Sequence, residues 1–506
     1  MVVAYPSDPR KEELVQLCEQ LVQERRLIIV SNRGPVEHQL AANGQMHGRR
    51  GTGGVVTSLN TLTYNIDFTW VASAMGEGDR AVTEASEGAS IKSPIPGQRL
   101  SLRYVVTPRR VYHKYYNVFC NPLLWFLQHY MWSSPYTPNV DGAVHDAWEN
   151  GYVAVNKAFA DCVIAEAQDS ESAPYVVVHD YHLYLVPLYV RQAVPDATIF
   201  HFVHIPWPSP AYWLLLPSYI RNSICRALCQ NDIVGFQCLR DARAFLQTCQ
   251  EFLPDAVVNH DEMTVELDGR EVNVRVYPLS IDPSELRRIA DSPRSMDYER
   301  RLQPLCLENT IVRVDRLEPS KNIVRGFRAY NLLLERHPEL HGKVTFLAFL
   351  APSRTRVRQY QRYAEEVEQH VQNVNNTYGT DTWTPIHTFY ENNYTQAIAG
   401  LRLYDVLLVN PVIDGMNLVA KEGPVVNTKE GMVVLSESVG AHDQLRGGAL
   451  SVSPTDIEGT MQAMHSAIVM PPDERTKRWS SMYEVVERED VTHWLKLQIE
   501  DMMNLN

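Results

Sequence analysis

Short runs of apolar, β-branched residues recur along the chain, separated by stretches whose apolar positions return every three or four residues. The runs "LIIVS" (27–31), "YVVVHD" (175–180), "TIFHFVH" (198–204) and "IVGF" (233–236) show little polar alternation. That is the pattern of strands buried on both faces of a parallel sheet. Helix-period stretches fall between them, including 144–168 and 216–231. A turn-rich segment, "YPLSIDPSEL" (277–286), interrupts the alternation, which then restarts. Strands are expected at 310–314, 344–350, 405–409 and 432–437, with helices at about 322–336, 354–376, 418–427 and 456–468. Alternating strand and helix predict a doubly wound parallel sheet, and the restart predicts two in tandem, divided near 275–285. Ahead of the first strand, "KEELVQLCEQLVQERR" sets Leu14, Leu17, Cys18, Leu21 and Val22 at helical spacing. This predicts an amphipathic helix packed on the first domain.

Ligands of such sheets bind beyond the carboxyl ends of the strands, so the residues leaving each run carry functional information. Asn32 and Arg33 follow the first run, Asp180 the second and His204 the third. Arg316, Arg354 and Asp414 hold the equivalent places in the second half. Six strand ends followed by polar groups exceed what chance provides. A deep cleft between the two domains is the expected ligand site.

Several stretches refine this. "RRGTGGVVTSL" (49–59) is a glycine-rich turn entering an apolar helical run, a form that lets backbone N–H groups approach a phosphate or sugar. Tight turns use the same glycines. The stretch is neither G-x-G-x-x-G nor a P-loop, which weighs against dinucleotide oxidoreductases and NTPases. "RVDRLEPSKN" (313–322) sets Arg316 and Lys321 five residues apart across a turn. Two fixed cations suit a diphosphate leaving group; two solvated surface cations fit the same spacing. "HDYHL" (179–183) and "FVHIPWPSP" (202–210) bring an acid and imidazoles to strand ends without metal-ligand spacing or a Ser-His-Asp order. "YHKYYNVFCNPLLWFLQHYMW" (112–132) is rich in rings, most of them expected in the core and some able to line a sugar site. "NPVIDGMNLVAKEGP" (410–424) leaves a strand through Asp-Gly and enters a helix carrying Asn417, Lys421 and Glu422. Turn chemistry and a ligand site both account for it.

Composition narrows the classes. At 506 residues the chain is too long for one core, and 45% hydrophobic with 21% charged residues is globular. A net charge of −13 argues against non-specific nucleic-acid binding. No run approaches the roughly 18 apolar residues of a membrane span, and "SDPRKEELVQ" breaks any signal-peptide core. Eight cysteines without a C-x-x-C pair argue against a metal site at Cys225, Cys229 and Cys238. "IRNSICRALCQ" reads as a helix with half-buried thiols, and a reduced, cytoplasmic setting fits.

"SNRGP", "GTGG", "YYNVFCNPLLW", "VHDYHL", "HIPWPSP", "RVDRLEPSKN", "APSR" and "NPVIDGMNLVAKE" occur in the order seen in trehalose-6-phosphate synthases. The chain resembles that family of retaining glucosyltransferases over roughly residues 27–503. The resemblance implies an α/β fold of GT-B architecture, with two doubly wound, Rossmann-like domains facing a deep cleft. It implies an N-terminal extension (1–26), an acceptor-binding domain (27–278), a nucleotide-sugar domain (279–486) and a C-terminal helix (487–506) crossing back to the first domain. The implied reaction moves glucose from UDP- or GDP-glucose to glucose 6-phosphate, with no cofactor beyond the nucleotide sugar and no metal. Front-face attack is implied, the leaving phosphate taking the acceptor hydroxyl's proton. Arg316 and Lys321 match the pair holding the diphosphate, and Glu422 the carboxylate on the ribose. Asp414 with the amides of Gly415, Met416 and Asn417 matches contacts to donor glucose and phosphate, and Leu418 and Val419 continue that loop. His204 matches the histidine at the donor sugar and Gly54 the glycine over the diphosphate. Arg33, Tyr116 and Arg354 match the clamp on the acceptor's phosphate; Trp125 and Asp180 match acceptor-sugar contacts, with Trp70 nearby. Lys421 is expected to point to solvent.

Ile413, Gly423 and Pro424 depart from the form of the last motif common in the family, and "EGPVVNTKEGMVVLSE" and "IPWPSPAYW" resemble the validoxylamine-7′-phosphate synthase branch. A pseudo-glycosyltransferase of that type, a glucosylglycerol-phosphate synthase and a catalytically silent sugar-phosphate sensor are the alternatives. Small-molecule substrates are the expected partners, with no nucleic acid and no membrane; a homo-oligomer is compatible with the sequence.

Overall fold

The computed structural model describes residues 8–40, 46–51, 54–133, 136–168, 172–355 and 357–505. The chain forms two compact units, Met1–Pro278 with Thr492–Asn506, and Leu279–Val491.

The first unit is built on a ten-stranded sheet. Seven central strands are parallel, running in space Arg270–Val276, Ile233–Phe236, Thr198–Phe202, Tyr175–His179, Leu27–Ser31, Thr69–Ser73 and Ser101–Val105. Antiparallel strands close both edges: Ile91–Lys92 at one, and Thr264–Leu267 with Val257–Asn259 at the other. The chain begins at Leu27–Ser31, winds outward on one side, then returns to Tyr175–His179 and winds the other way. The switch point therefore lies between those two strands, where a doubly wound sheet opens a crevice. Both strands are buried along their whole length, as continuous apolar runs require. The helix Pro9–Glu24 is capped by Asp8, whose carboxylate accepts from the Arg10 N–H at 3.0 Å, and it buries Leu14, Cys18 and Leu21.

One expected helix is interrupted and another is shorter than expected. The stretch from 144 to 168 has a wide turn at Trp148–Val153 before the helix Ala154–Gln168, and the 216–231 helix spans Ser218–Leu228. The thiols of Cys225 and Cys229 are fully buried, where half-burial was expected, and Cys238 is buried as well.

The second unit has six parallel strands in the order Ile386–Phe389, Val344–Ala351, Asn309–Arg316, Val406–Val409, Met432–Ser436 and Leu450–Val452. Its switch point lies between Asn309–Arg316 and Val406–Val409. Helix Pro472–Arg488 stays with this unit, and from Thr492 the chain belongs to the first. There Trp494 meets the Phe202 ring edge-on at 5.4 Å, and Tyr277 donates to Asp501 at 2.5 Å. No helix among the described residues is long and apolar enough to cross a membrane.

Candidate active site

At the second unit's switch point the chain leaves Val406–Val409 and runs along the turn Pro319–Lys321, to which Val412 N–H is tied through the Ser320 carbonyl at 2.8 Å. Asp414 then bridges to Val439: Gly440 N–H donates to the Asp414 carbonyl at 3.3 Å and Ala441 N–H to that of Met416 at 3.0 Å. Gly440 is required by this approach, since a Cβ there would lie 1.9 Å from the Gly415 carbonyl oxygen. Asn417 has φ of 64°, a left-handed conformation that asparagine tolerates, and helix Val419–Val426 follows. Among the described residues the N–H groups of Gly415, Met416, Asn417 and Leu418 find no acceptor. Four such donors at the mouth of a helix form a concave site for an anion or sugar oxygen.

Lys321 reaches this loop from the neighbouring strand's turn and forms an ion pair with Asp414. Asn417 Nδ2 donates to the same carboxylate oxygen at 3.1 Å. The turn is held from beneath: Arg313, wholly buried, pairs with Asp315 at 2.7 Å and donates to the Lys321 carbonyl at 3.0 Å. Asn322, also left-handed at φ 58°, donates to the carbonyls of Asn410 at 2.8 Å and Pro454 at 2.6 Å.

Arg316 and Arg354 converge on one carboxylate. Glu318 Oε1 lies 3.3 Å from Arg316 Nη1 and 3.6 Å from Arg354 Nη1, and accepts from Ser353 Oγ at 2.7 Å. Glu318 is fully buried, which works against its charge, but Arg316, Arg354 and Lys321 outweigh the burial and hold its pKa at about 2. Arg316 is over half exposed; Arg354 is mostly covered, lies over the Tyr360 ring and has φ of 41°. A non-glycine residue in that region marks a position held by its surroundings.

Glu422 is buried and accepts from Tyr394 Oη at 2.8 Å. Burial raises its pKa to about 7, with the Tyr394 hydroxyl acting in the other direction. Lys421 does not point to solvent. It is 1% exposed, its ammonium donates to the Leu279 carbonyl at 2.7 Å, and burial draws its pKa down to about 7 against the pull of Glu489. The helix carrying it is buried from Ala420 to Val426, so it has no solvent face to offer.

In the first unit, Arg33 and Asp180 stand at the carboxyl ends of the two strands flanking the switch point. Arg33 is exposed at this strand end beside the Tyr116 phenol; desolvation opposes its charge, but Tyr116, Tyr112 and Glu37 outweigh it and the Arg33 pKa is raised. The Tyr116 ring is stacked on Tyr112 (5.6 Å) and His182 (5.8 Å). Asp180 takes φ of 74°; its N–H donates to Phe202 at 2.8 Å and its carbonyl accepts from His201 Nε2 at 3.2 Å. His204 is half-buried, with Nε2 3.1 Å from His179 Nδ1.

Trp125 is 2% exposed and stacks on His129 at 3.9 Å, leaving at most a ring edge for a ligand. Trp70 is wholly buried, donates to Ser31 Oγ at 2.8 Å and belongs to the core, so it is not a sugar contact. Gly54 opens the short helix Gly54–Ser58; Thr52 and Gly53 of the glycine-rich turn lie outside the described residues.

The structure therefore assembles Arg316, Lys321, Arg354, Asp414 and Gly415–Leu418 on the second unit. Reading from sequence missed Glu318, Asn322 and Tyr394, and saw His179 as a strand-end imidazole without its pairing to His204. A glutamate between Arg316 and Lys321 was the available signal for Glu318.

Two Rossmann-like units, one with a cation-flanked amide site at its switch point, define a GT-B nucleotide-sugar glycosyltransferase. The model of Glycosyltransferase family 20 matches residues 25–504, and the chain belongs to that family. It is 31% identical to the UDP-forming alpha,alpha-trehalose-phosphate synthase of Schizosaccharomyces pombe over 93% of this chain and 89% of that protein. It is 32% identical to synthase A of Dictyostelium discoideum, covering 93% of this chain but 61% of that longer protein. Among solved structures, the E. coli trehalose-6-phosphate protein bound with UDP-2-fluoro glucose is 27% identical with a TM-score of 0.80, covering 94% of this chain and 98% of that one. The Burkholderia xenovorans synthase in complex with glucose-6-phosphate gives the same identity and TM-score, over 94% of this chain and 100% of that one.

Proposed function

We propose that the chain transfers a glucosyl unit from UDP-glucose to glucose 6-phosphate with retention, forming α,α-trehalose 6-phosphate and UDP. The observation carrying this is the row of four unsatisfied amides, Gly415–Leu418, beside Lys321. Such a site stabilises the charge that grows on a departing diphosphate. The bond from glucosyl C1 to the diphosphate oxygen breaks, and C1 joins the acceptor's anomeric oxygen on the same face. The acceptor hydroxyl's proton passes to the leaving phosphate oxygen. Arg316, Lys321 and the amides hold the diphosphate, Glu422 the ribose hydroxyls, and Asp414 and His204 the transferred glucose. Gly54 lies over the diphosphate. Arg33, Tyr116 and Arg354 take the acceptor's phosphate; Asp180 and the edge of Trp125 take its sugar. UDP as donor base is supported by the names of the eukaryotic relatives. The eight unpaired cysteines support a cytoplasmic setting.

A matrix of donors against acceptors tests this. UDP release should require glucose 6-phosphate together with UDP-glucose, and mass spectrometry should find a non-reducing disaccharide phosphate. Turnover with a cyclitol phosphate or glycerol phosphate, and none with glucose 6-phosphate, would overturn it.

A further inference from the structure

The His204 imidazole makes one hydrogen bond among the described residues, Nε2 to His179 Nδ1 at 3.1 Å, and packs edge-on against the Phe202 ring at 4.6 Å; its Nδ1 has no partner among the described residues. His179 is 1% exposed, and its Nε2 is buried without a hydrogen-bond partner among the described residues. It lines an apolar cavity of about 30 Å³ walled by Leu21, Ile29, Leu62, Val177 and Met502. The other polar side chain there, Gln498, has its amide nitrogen committed to the Trp494 carbonyl at 2.8 Å.

Both imidazoles are neutral. Burial takes His179 down to about 3, and burial together with His179 and His201 depresses His204. Two neutral rings sharing one hydrogen bond have two proton arrangements. In the first, His204 donates from Nε2, and the proton of His179 sits on its own Nε2, a buried N–H with no acceptor within hydrogen-bond distance among the described residues. In the second, His179 donates from Nδ1, presents only a lone pair to the cavity, and His204 carries its proton on Nδ1. Orphaned buried N–H groups are rarer in folded proteins than under-satisfied acceptors, which selects the second arrangement.

We infer that His179 is a positioning residue that holds His204 as the Nδ1–H tautomer, so that His204 offers a hydrogen-bond donor to the substrate. The inference rests on the reading that places His204 at the donor sugar. What it adds is the location of the proton, and hence that the substrate oxygen there is an acceptor.

The full chain labelled with ¹⁵N-histidine reports each ring's tautomer through two-bond ¹H–¹⁵N correlations, with the His204 signals assigned by their loss in His204→Gln. Nδ1–H at both His204 and His179 is expected. Nε2–H at His204 in the wild-type chain overturns the inference, whether or not any variant folds. His179→Asn places an amide N–H where Nδ1–H stood; His179→Leu removes the donor. The leucine variant should lose on the order of tenfold in kcat, with the acceptor KM unchanged and His204 shifted to Nε2–H, while the asparagine variant keeps most of the activity. Equal losses in both variants at equal Tm would sink the positioning role. A wild-type tautomer as expected, with undiminished kcat in His204→Gln, would overturn the substrate contact and leave the proton's place standing.

Discussion

The two units share the core strand order, and at the carboxyl edge of the sheet the first adds a cluster of neutral imidazoles beside Arg33 and Asp180 where the second carries a network of ion pairs. In the first, the strand ends Tyr175–His179 and Thr198–Phe202 lead to His179, His201 and His204, all held neutral by burial. In the second, the corresponding edge is ionic, and each cation has a carboxylate: Arg313 with Asp315, Lys321 with Asp414, Arg316 and Arg354 with Glu318. The difference follows from the cost of burying charge. An imidazole can shed its proton and enter the core, whereas a guanidinium cannot and needs a partner. A leaving diphosphate requires fixed cations, and a sugar hydroxyl requires directional neutral donors and acceptors.

The largest effect that sharpens this contrast concerns Lys321. Lys321→Ala should lower kcat by about 10²- to 10³-fold, the usual cost of losing one donor from a site of developing negative charge. Steady-state rates with saturating glucose 6-phosphate check it, and a loss below threefold would remove Lys321 from the diphosphate. Arg354→Ala comes next. Losing a charge-assisted phosphate contact of about 1.5–3 kcal/mol should raise the KM for glucose 6-phosphate roughly tenfold or more. The KM for UDP-glucose should move far less; equal changes in both would assign Arg354 to the donor instead.

Much of the ionic edge was legible in sequence because strand, turn and charge are local there. "RVDRLEPSKN" shows Arg316 and Lys321 on either side of one turn, and the continuous run before it marks a strand buried on both faces. Glu318 was not legible as their organiser, because its second partner, Arg354, comes from a different strand end 36 residues on. The neutral edge was harder. His179 and His204 are visible as strand-end residues, but their pairing depends on the lateral order of two strands and on an apolar wall drawn from helices at both ends of the chain. Lys421 misled for a related reason. A lone lysine beside a glutamate reads as a solvated pair, and only the burial of every residue from Ala420 to Val426 shows that the helix has no outer face. "TWVAS" and "SLRYV" escaped notice as strands because short mixed runs carry little periodic signal.

Glu318 tests whether the cations owe their positions to a single buried carboxylate. Glu318→Gln keeps the volume and one acceptor but removes the charge shared by two arginines. With that anchor gone, the KM values for UDP-glucose and glucose 6-phosphate should both rise, each by about tenfold. In Arg316→Ala the further effect of Glu318→Gln on the donor KM should largely vanish, since residues acting through one another are not additive. Full additivity in that double mutant would show that Glu318 holds the fold and not Arg316.

The smallest predicted effect tests the one place where the charged unit behaves like the neutral one. Glu422 is raised to about 7 by burial, so it is protonated below that pH and ionised above it. A carboxylate accepts from two ribose hydroxyls where the acid accepts poorly, so donor binding should strengthen as pH rises. Between pH 6 and pH 8 the ionised fraction grows about tenfold, and because the acid form keeps some hydrogen bonding the KM for UDP-glucose should fall by less than that, roughly fivefold. Lys421, the next residue, loses its proton over the same range, and that loss of positive charge would weaken binding of an anionic donor. The observed sign therefore identifies which group faces the ribose. A KM falling with pH that becomes flat in Glu422→Gln, and persists in Lys421→Met, assigns the effect to Glu422. A KM rising with pH would instead mean that the lysine's charge reaches the donor and that the carboxylate stays protonated against Tyr394.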